Sequence, residues 1–417
     1  MNNTIIWIIS FLAIAGVIIR PFKNLPEAVY AVSGAILLLI FQLIKPEEAV
    51  SGISKGLDVY LFLTGMMLLA ETAREEKLFD WLAAHATLMA KGSANRLFLL
   101  IYLVGVVVTT FLSNDAAAVV LTPAVAAAVK AANVEKPLPY LLICAFIANA
   151  ASFMLPISNP ANLVIYGSHM PSLMHWLGQY LIPSVCAIVV TYFALHFTQR
   201  NCFKEKIKTD IDLPKLSQDG KTALIGIAAA AIILLISSAL DIQLGLPTAI
   251  TGIITTAVVL FRAKKSPLII IKGISWAVLP LVAGLFVVVE ALNKTGMIQS
   301  LTSVLNHSIS QSVSGAAWLS GAAIAVTCNL VNNLPAGLIA GNVLQIGHTP
   351  EIVKSAVLIG VDLGPNLSIT GSLATILWLV ALRREDQEVS AWTFLKLGSI
   401  IMTMALIAAL AALWISA

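Results

Sequence analysis

The stretch FLSNDAAAVVLTP at 111–123 sets Ser113, Asn114 and Asp115 inside a run of apolar residues. An ionisable group there is expensive if the run lies in a membrane, so the surroundings decide how the polar trio is read. Those surroundings are membrane-like. The chain has 417 residues, 59% hydrophobic and 11% charged, with a mean hydropathy of +0.93; soluble domains carry about 25% charged residues. Apolar runs recur from end to end, which predicts an all-α polytopic membrane protein. The runs are continuous rather than alternating, which argues against a β-barrel. A net charge of +4 fits basic cytoplasmic loops and gives no sign of nucleic acid. Cys144, Cys186, Cys202 and Cys328 form no CxxC pair and read as small buried hydrophobes. The opening MNNTIIWIISFLAIAGVIIRPFK has no basic residue ahead of its apolar run, so it reads as an uncleaved first span rather than a signal peptide.

Ten spans follow from hydropathy, near 4–19, 27–44, 57–73, 139–169, 176–198, 222–240, 246–262, 276–293, 351–382 and 392–416. Two further apolar segments, 97–132 and 315–347, are interrupted by polar tips. Amphipathic stretches such as KLFDWLAAHATLMAKGSANR precede them and read as helices along the interface. The order repeats. TGMMLLAETAREEKLFDWL from Thr64 aligns with AGLFVVVEALNKTGMIQSL from Ala283, setting Gly65 against Gly284 and Glu71 against Glu290. Likewise Pro26 meets Pro247, Asn114 meets Asn332, and Asn149 meets Asp362. The expected organisation is an N-terminal repeat at 1–198, a cytoplasmic linker at 199–221 and a C-terminal repeat at 222–417. Each repeat has five spans, an odd number, plus a hairpin that does not cross. The second copy is therefore inverted, the arrangement of secondary transporters with a midplane site.

Placing both termini outside puts 21 of the 25 lysines and arginines inside, leaving only Lys45, Lys55, Lys294 and Lys354 on the outer side. That obeys the positive-inside rule. Each arm of 97–132 has about 16 residues, roughly 24 Å of helix against a core of roughly 30 Å. The segment should enter from the cytoplasm, turn at Ser113–Asp115 and return; 315–347 should do the same from outside. A turn at that depth is tolerable only beside protein or a wet cavity. The span after each hairpin carries breakers, Pro156 and Pro160 in LPISNPAN and Gly364, Pro365 and Gly371 in DLGPNLSITGS. Two tips and two breaks should meet near the membrane centre.

The side chains they bring are Ser113, Asn114, Asp115, Asn149, Ser158, Asn159, Asn162, Asn332, Asn333, Asp362, Asn366, Ser368, Thr370 and Ser372, with no Lys, Arg or His. A dicarboxylate or phosphate carrier would want a cation, or captured sodium ions, to offset its cargo. An acid-only set suits a small neutral polyhydroxyl solute or a cation, with Asp115 and Asp362 carrying protons. Asn114, Asn332, Asn333, Ser158, Asn159, Asn366, Thr370 and Ser372 are the candidates for substrate contact. Glu71 and Glu290 end their spans and read as interfacial. His169 and His175 read as solvated, and two isolated thiols, Cys144 and Cys328, are weak grounds for a soft-metal site. The chain has no GxxxxGK[ST] loop and no HExxH or GxSxG motif, so no enzyme activity, cofactor or metal is expected.

FLSNDAAAVVLTPAV, NLVNNLPA and GVDLGPNLSITGSLATILWL resemble the arsenite efflux permease family, ArsB, of the ion transporter superfamily. The likeness runs through both repeats and is strongest over 97–163 and 320–382. It implies export of trivalent arsenic and antimony from a prokaryotic cytoplasm across the inner membrane, by proton antiport, with an ArsA-type ATPase as a partner in some members. Asn114 and Asp115 match the first hairpin motif, Asn332 and Asn333 the second, and Asp362, Gly364, Pro365 and Ser372 the second broken helix. Asn149 departs from the family, where an acidic residue is often found, so coupling would lean on Asp115 and Asp362. Arsenite at neutral pH is mostly the uncharged triol As(OH)3, which needs no counter-charge. A sodium/proton antiporter of the same superfamily, and the channel-like subunit of an ATP-driven pump, remain alternatives at this level.

Overall fold

The computed structural model describes residues 2–19, 25–167, 170–204, 206–209, 215–346 and 349–416. Arg20, Lys23, His169 and part of the 199–221 linker lie outside the described residues. The described chain is nearly all helical, and its single β pairing is an isolated bridge between Ser93 and Lys206. The first half runs α1 (Asn2–Ile19), α2 (Glu27–Ile40), α3 (Pro46–Ser54), α4 (Leu57–Glu75) and α5 (Leu78–Met89). Its hairpin is α6 (Ala94–Phe111) and α7 (Asn114–Ala131), the latter wound more loosely, as a π-helix, over Ala117–Leu121. A broken span, α8 (Leu138–Ala150) and α9 (Pro160–Tyr166), leads to α10 (Leu173–Gln199). The same order returns as α11 (Gln218–Ala239), α12 (Gly245–Ala263), α13 (Leu268–Gly273), α14 (Val278–Lys294) and α15 (Met297–Gln311). The second hairpin is α16 (Val313–Val331) and α17 (Asn333–Ile346), the second broken span α18 (Glu351–Leu363) and α19 (Leu373–Arg384), and the last helix α20 (Ala391–Ser416).

Packing between the halves is reciprocal. Helix α4 lies on α12, and α14 lies on α2; α5 packs on both arms of its hairpin, and α15 does so on both arms of the other; α10 and α20 pack on each other. A two-fold relation between repeats requires such pairs. The matched glycines explain one of them. A Cβ on Gly65 would sit 2.1 Å from the Thr248 carbonyl oxygen, and one on Gly284 would sit 2.8 Å from the Ala31 carbonyl carbon. Only hydrogen fits at these crossings, and small residues are what let membrane helices approach closely.

By length and composition, seven described helices can cross a membrane, or nine if two bent pairs count as one span each. Ten spans were expected. The difference has a physical origin: both broken spans are cut into pieces too short to cross alone, α8 and α9 with 13 and 7 residues, α18 and α19 with 13 and 12, and α1 and α2 are themselves too short to be counted. Three hairpin arms, α6, α7 and α16, are long enough to be counted among the seven. Both arms of the first hairpin have 18 residues rather than about 16. At roughly 27 Å they still fall short of a roughly 30 Å core.

Candidate functional site

The two breaks form where the breakers predict. Helix α8 ends at Ala150, Pro156 opens a single 3-10 turn, and Pro160 starts α9, a position where its missing N–H leaves no bond unmade. Helix α18 ends at Leu363, two 3-10 turns follow (Gly364–Asn366 and Ile369–Gly371), and α19 begins after Ser372. The glycines here serve close approach: a Cβ on Gly364 would lie 2.4 Å from the Ala325 carbonyl oxygen, one on Gly371 2.6 Å from Asn329 Oδ1. Unwinding frees carbonyl groups, and protein side chains satisfy them, as lipid-depth backbone demands. Asn162 Nδ2 donates to the Ser152, Leu155 and Pro156 oxygens at 3.0, 3.5 and 3.4 Å. Trp176 Nε1 donates to Phe153 O at 3.2 Å, and Asn329 Nδ2 to Gly364 O at 2.9 Å. Each restarted half-helix is capped by its own preceding side chain: Asn159 Oδ1 accepts from Ala161 N, and Ser372 Oγ from Thr375 N.

The breaks are bonded to each other. Asn159 Nδ2 donates to Asp362 Oδ1 at 2.6 Å. Asn149 Nδ2 donates to Asn366 Oδ1 at 3.0 Å and to Thr375 Oγ1 at 3.4 Å, while Asn366 Nδ2 reaches Phe146 O at 3.0 Å. Asn149, Asn159, Asp362 and Asn366 are all buried. The second tip joins this group. Asn332, at φ +71°, donates from Nδ2 to Thr370 O at 3.4 Å and accepts from Leu334 N. Ser368 Oγ donates to Asn329 Oδ1 at 2.8 Å, and Thr370 Oγ1 to Asn329 O at 3.2 Å. Asn333 is buried at the start of α17.

The first tip is arranged differently. Ser113 Oγ caps α7 through Ala116 N, and Asn114 Oδ1 accepts from Asp115 N. Ser158 ties the first break to the hairpin, donating to Thr110 O at 2.9 Å. The Asp115 side chain is only partly covered and lines a cleft with about 640 Å³ of empty space, open solvent included. Its walls come from α4, α7, the start of α9, α19 and the chain over 273–278; they are mostly apolar and include no Lys, Arg or His. Thus Asp362 sits closed among amides, whereas Asp115 faces open space.

Several buried polar atoms around the breaks and the first hairpin have no partner: Asn149 Oδ1, Asn162 Oδ1, Asp362 Oδ2 and the hydroxyls of Thr109 and Thr110. Such orphans are rare in native proteins and call for an explanation. Sequence reasoning missed Ser152, Asn329 and Thr375, which supply partners to this network. Asn329 lies one helical turn before Asn332, so the hairpin's inner face carries both. Glu290 pairs with Lys55 at 2.7 Å, as an interfacial acid would, whereas Glu71 departs from the interfacial reading: it is buried, hydrogen-bonded to Arg74 and pressed on Gly273, and it lines the same cleft as Asp115. Exposed His175 stays at the rim of another pocket, and the buried Cys328 thiol contacts Val361 O at 3.9 Å.

Comparison with known proteins adds three findings. The family described as CitMHS, citrate transporter, matches residues 6–360. Two similar relatives bear the name arsenical pump membrane protein: that of Yersinia enterocolitica is 28% identical, covering 81% of this chain and 82% of its own, and that of Escherichia coli K12 is 27% identical, covering 97% of each. The YdaH transporter of Alcanivorax borkumensis, solved as a crystal structure, shares the fold with a TM-score of 0.59 at 14% identity, over 88% of this chain and 86% of that one.

Proposed function

The chain belongs to the citrate transporter family CitMHS, and from that premise we propose that it is a secondary transporter exporting trivalent arsenic and antimony as the neutral triols As(OH)3 and Sb(OH)3. The observation that carries this reading is the set of orphaned atoms. Asn149 Oδ1 and Asn162 Oδ1 are acceptors only, and Asp362 Oδ2 is one whenever the carboxyl is ionised. The matching ligand is a hydrogen-bond donor. A triol brings three O–H donors and no charge. Citrate brings chiefly carboxylate acceptors and negative charge, which these oxygens and the two aspartates would repel. The relatives named arsenical pump membrane protein support the same choice. Expelling an uncharged solute uphill needs coupling, and Asp115 and Asp362 are the groups able to carry protons inward in exchange. Alternating access then consists of moving the hairpins and broken helices relative to α4, α12 and α14, by an elevator or rocking motion, in a prokaryotic plasma membrane. An ArsA-type ATPase on the cytoplasmic face would add a second energy source.

A sodium ion is the second reading, because the same acceptor oxygens could ligate it. The test is uptake into inside-out vesicles of radiolabelled arsenite and citrate, with an imposed pH gradient, with and without sodium. Arsenite accumulation independent of sodium is the expected result. Citrate uptake, or arsenite uptake only with sodium, would refute the proposal.

A further inference from the structure

At the opposite end of α18 from Asp362 lies a polar cluster that the site above does not use. Glu351, Ser355 and Asp362 are spaced four and seven residues apart, which at 3.6 residues per turn sets them on one stripe of α18. Alongside run two tyrosines from other elements. Tyr166 closes α9 and Tyr180 sits in α10; both are buried, and their hydroxyls are 2.7 Å apart. Tyr166 also donates to Glu351 Oε1 at 3.2 Å. Ser355, between Glu351 and Asp362 on that stripe, is buried and donates to Oε1 of Gln179, the residue before Tyr180, at 3.4 Å. Glu351 is half-exposed, holds Lys354 at 3.5 Å, and opens with His175 and Gln345 onto a pocket of about 930 Å³ empty space. Basic-residue asymmetry puts that pocket on the outer face.

We propose that Glu351, Tyr166 and Tyr180 form a proton path from this outer pocket to Asp362, a proposal that rests on the proton-antiport reading. A simple packing role explains the tyrosine rings, which pack at a tilt against Trp176. It does not explain a carboxylate joined through two buried hydroxyls toward a second carboxyl with a free oxygen. The transfer balances. A proton on Glu351 passes to the Tyr166 oxygen while Tyr166 hands its own to Tyr180, and Tyr180 hands its own, through water, to the ionised Asp362. Both hydroxyls end protonated, and Glu351 ends ionised and accepting from Tyr166, which is the arrangement seen. The groups facing this path are accounted for on every side: Lys354 and Glu351 on α18, His175 and Tyr180 on α10, Tyr166 on α9, and Cys328 on α16 beside Asp362. None is a buried cation that would bar a proton.

The test compares two activities of the full-length protein in inside-out vesicles. One is arsenite uptake driven by an acid lumen; the other is arsenite–arsenite exchange at equal pH, which moves loaded carrier without net proton transfer. Tyr180→Phe and Glu351→Gln should each lower driven uptake by about tenfold or more while exchange stays within about twofold of wild type, and Glu351→Asp should restore uptake. Driven uptake at the wild-type rate in both variants would overturn the path. So would loss of exchange together with uptake in both, because that marks a packing role. A wild-type protein with no pH-driven uptake at all would instead remove the antiport reading on which the path depends.

Discussion

The two broken helices share a backbone and differ in charge. Asn149 and Asp362 occupy matched ends of α8 and α18, and Asn159 and Ser372 occupy matched caps of α9 and α19. The hairpin tips differ in the opposite sense, with acidic Asp115 in the first and amides Asn332 and Asn333 in the second. Each half therefore holds one aspartate among these elements, on the tip in one copy and on the break in the other. Their settings differ as well: Asp362 is buried against Asn159, while Asp115 looks into the cleft. Duplication explains the paired scaffold, and divergence at a few positions explains the chemistry. Two symmetric acids in each half would set four like charges close together, and like charges in a poorly solvated site repel strongly. One aspartate per half avoids that.

Removing either acid should have the largest effect. Asp115→Asn and Asp362→Asn should each reduce pH-driven arsenite uptake by about 100-fold or more, with normal membrane insertion measured by detergent extraction and gel filtration. Uptake unchanged in either variant would show that this acid does not couple. Moving the acid sharpens the comparison: Asn149→Asp combined with Asp362→Asn should recover part of the lost uptake, since the positions are related by the repeat. No recovery over Asp362→Asn alone would show that the halves are not interchangeable at this point.

The helix crossings come next. Gly65→Val should reduce the yield of folded protein and its melting temperature more than Gly284→Val, because a Cβ at Gly65 meets backbone at 2.1 Å against 2.8 Å at Gly284. Overpacking of this kind costs about 1–3 kcal/mol or more, and the reverse order in thermal unfolding would contradict the geometry. Asn332→Ala removes the contact to Thr370 O and the cap on Leu334 N, and should raise the arsenite concentration for half-maximal transport by roughly tenfold, about 1.4 kcal/mol. The smallest effect is expected at the outer rim. Lys55 is half-exposed in its pair with Glu290, so Lys55→Ala should change stability by less than about 1 kcal/mol and leave transport intact.

Much of this arrangement was legible in the chain because membranes penalise irregular backbone. A proline pair such as Pro156 and Pro160, or Gly364 with Pro365, is hard to reconcile with a plain span, and a polar trio such as Ser113–Asp115 is hard to reconcile with lipid. The internal repeat matches residues of the two halves by sequence alone. What stayed hidden was the pairing. Asn329, Ser152 and Thr375 look like incidental polar residues in apolar helices, and only the fold brings Asn329 to Gly364 O or Asn149 to Thr375 Oγ1. The span count also exceeded what helix length alone supports, since a broken span has no single run long enough to be seen as one. The cleft before Asp115 has more apolar walls than a list of polar candidates suggests, because hydropathy marks what is polar and not what faces it.

The most direct test of the central claim follows protons rather than arsenic. Inside-out vesicles holding wild-type protein are given an acid lumen in sodium-free buffer, and the gradient is watched with a pH-sensitive dye as arsenite is added outside. Exchange of As(OH)3 for protons predicts that arsenite collapses the gradient, and that Asp115→Asn and Asp362→Asn vesicles hold it. A gradient that arsenite leaves untouched, but that sodium or citrate collapses, would contradict the account.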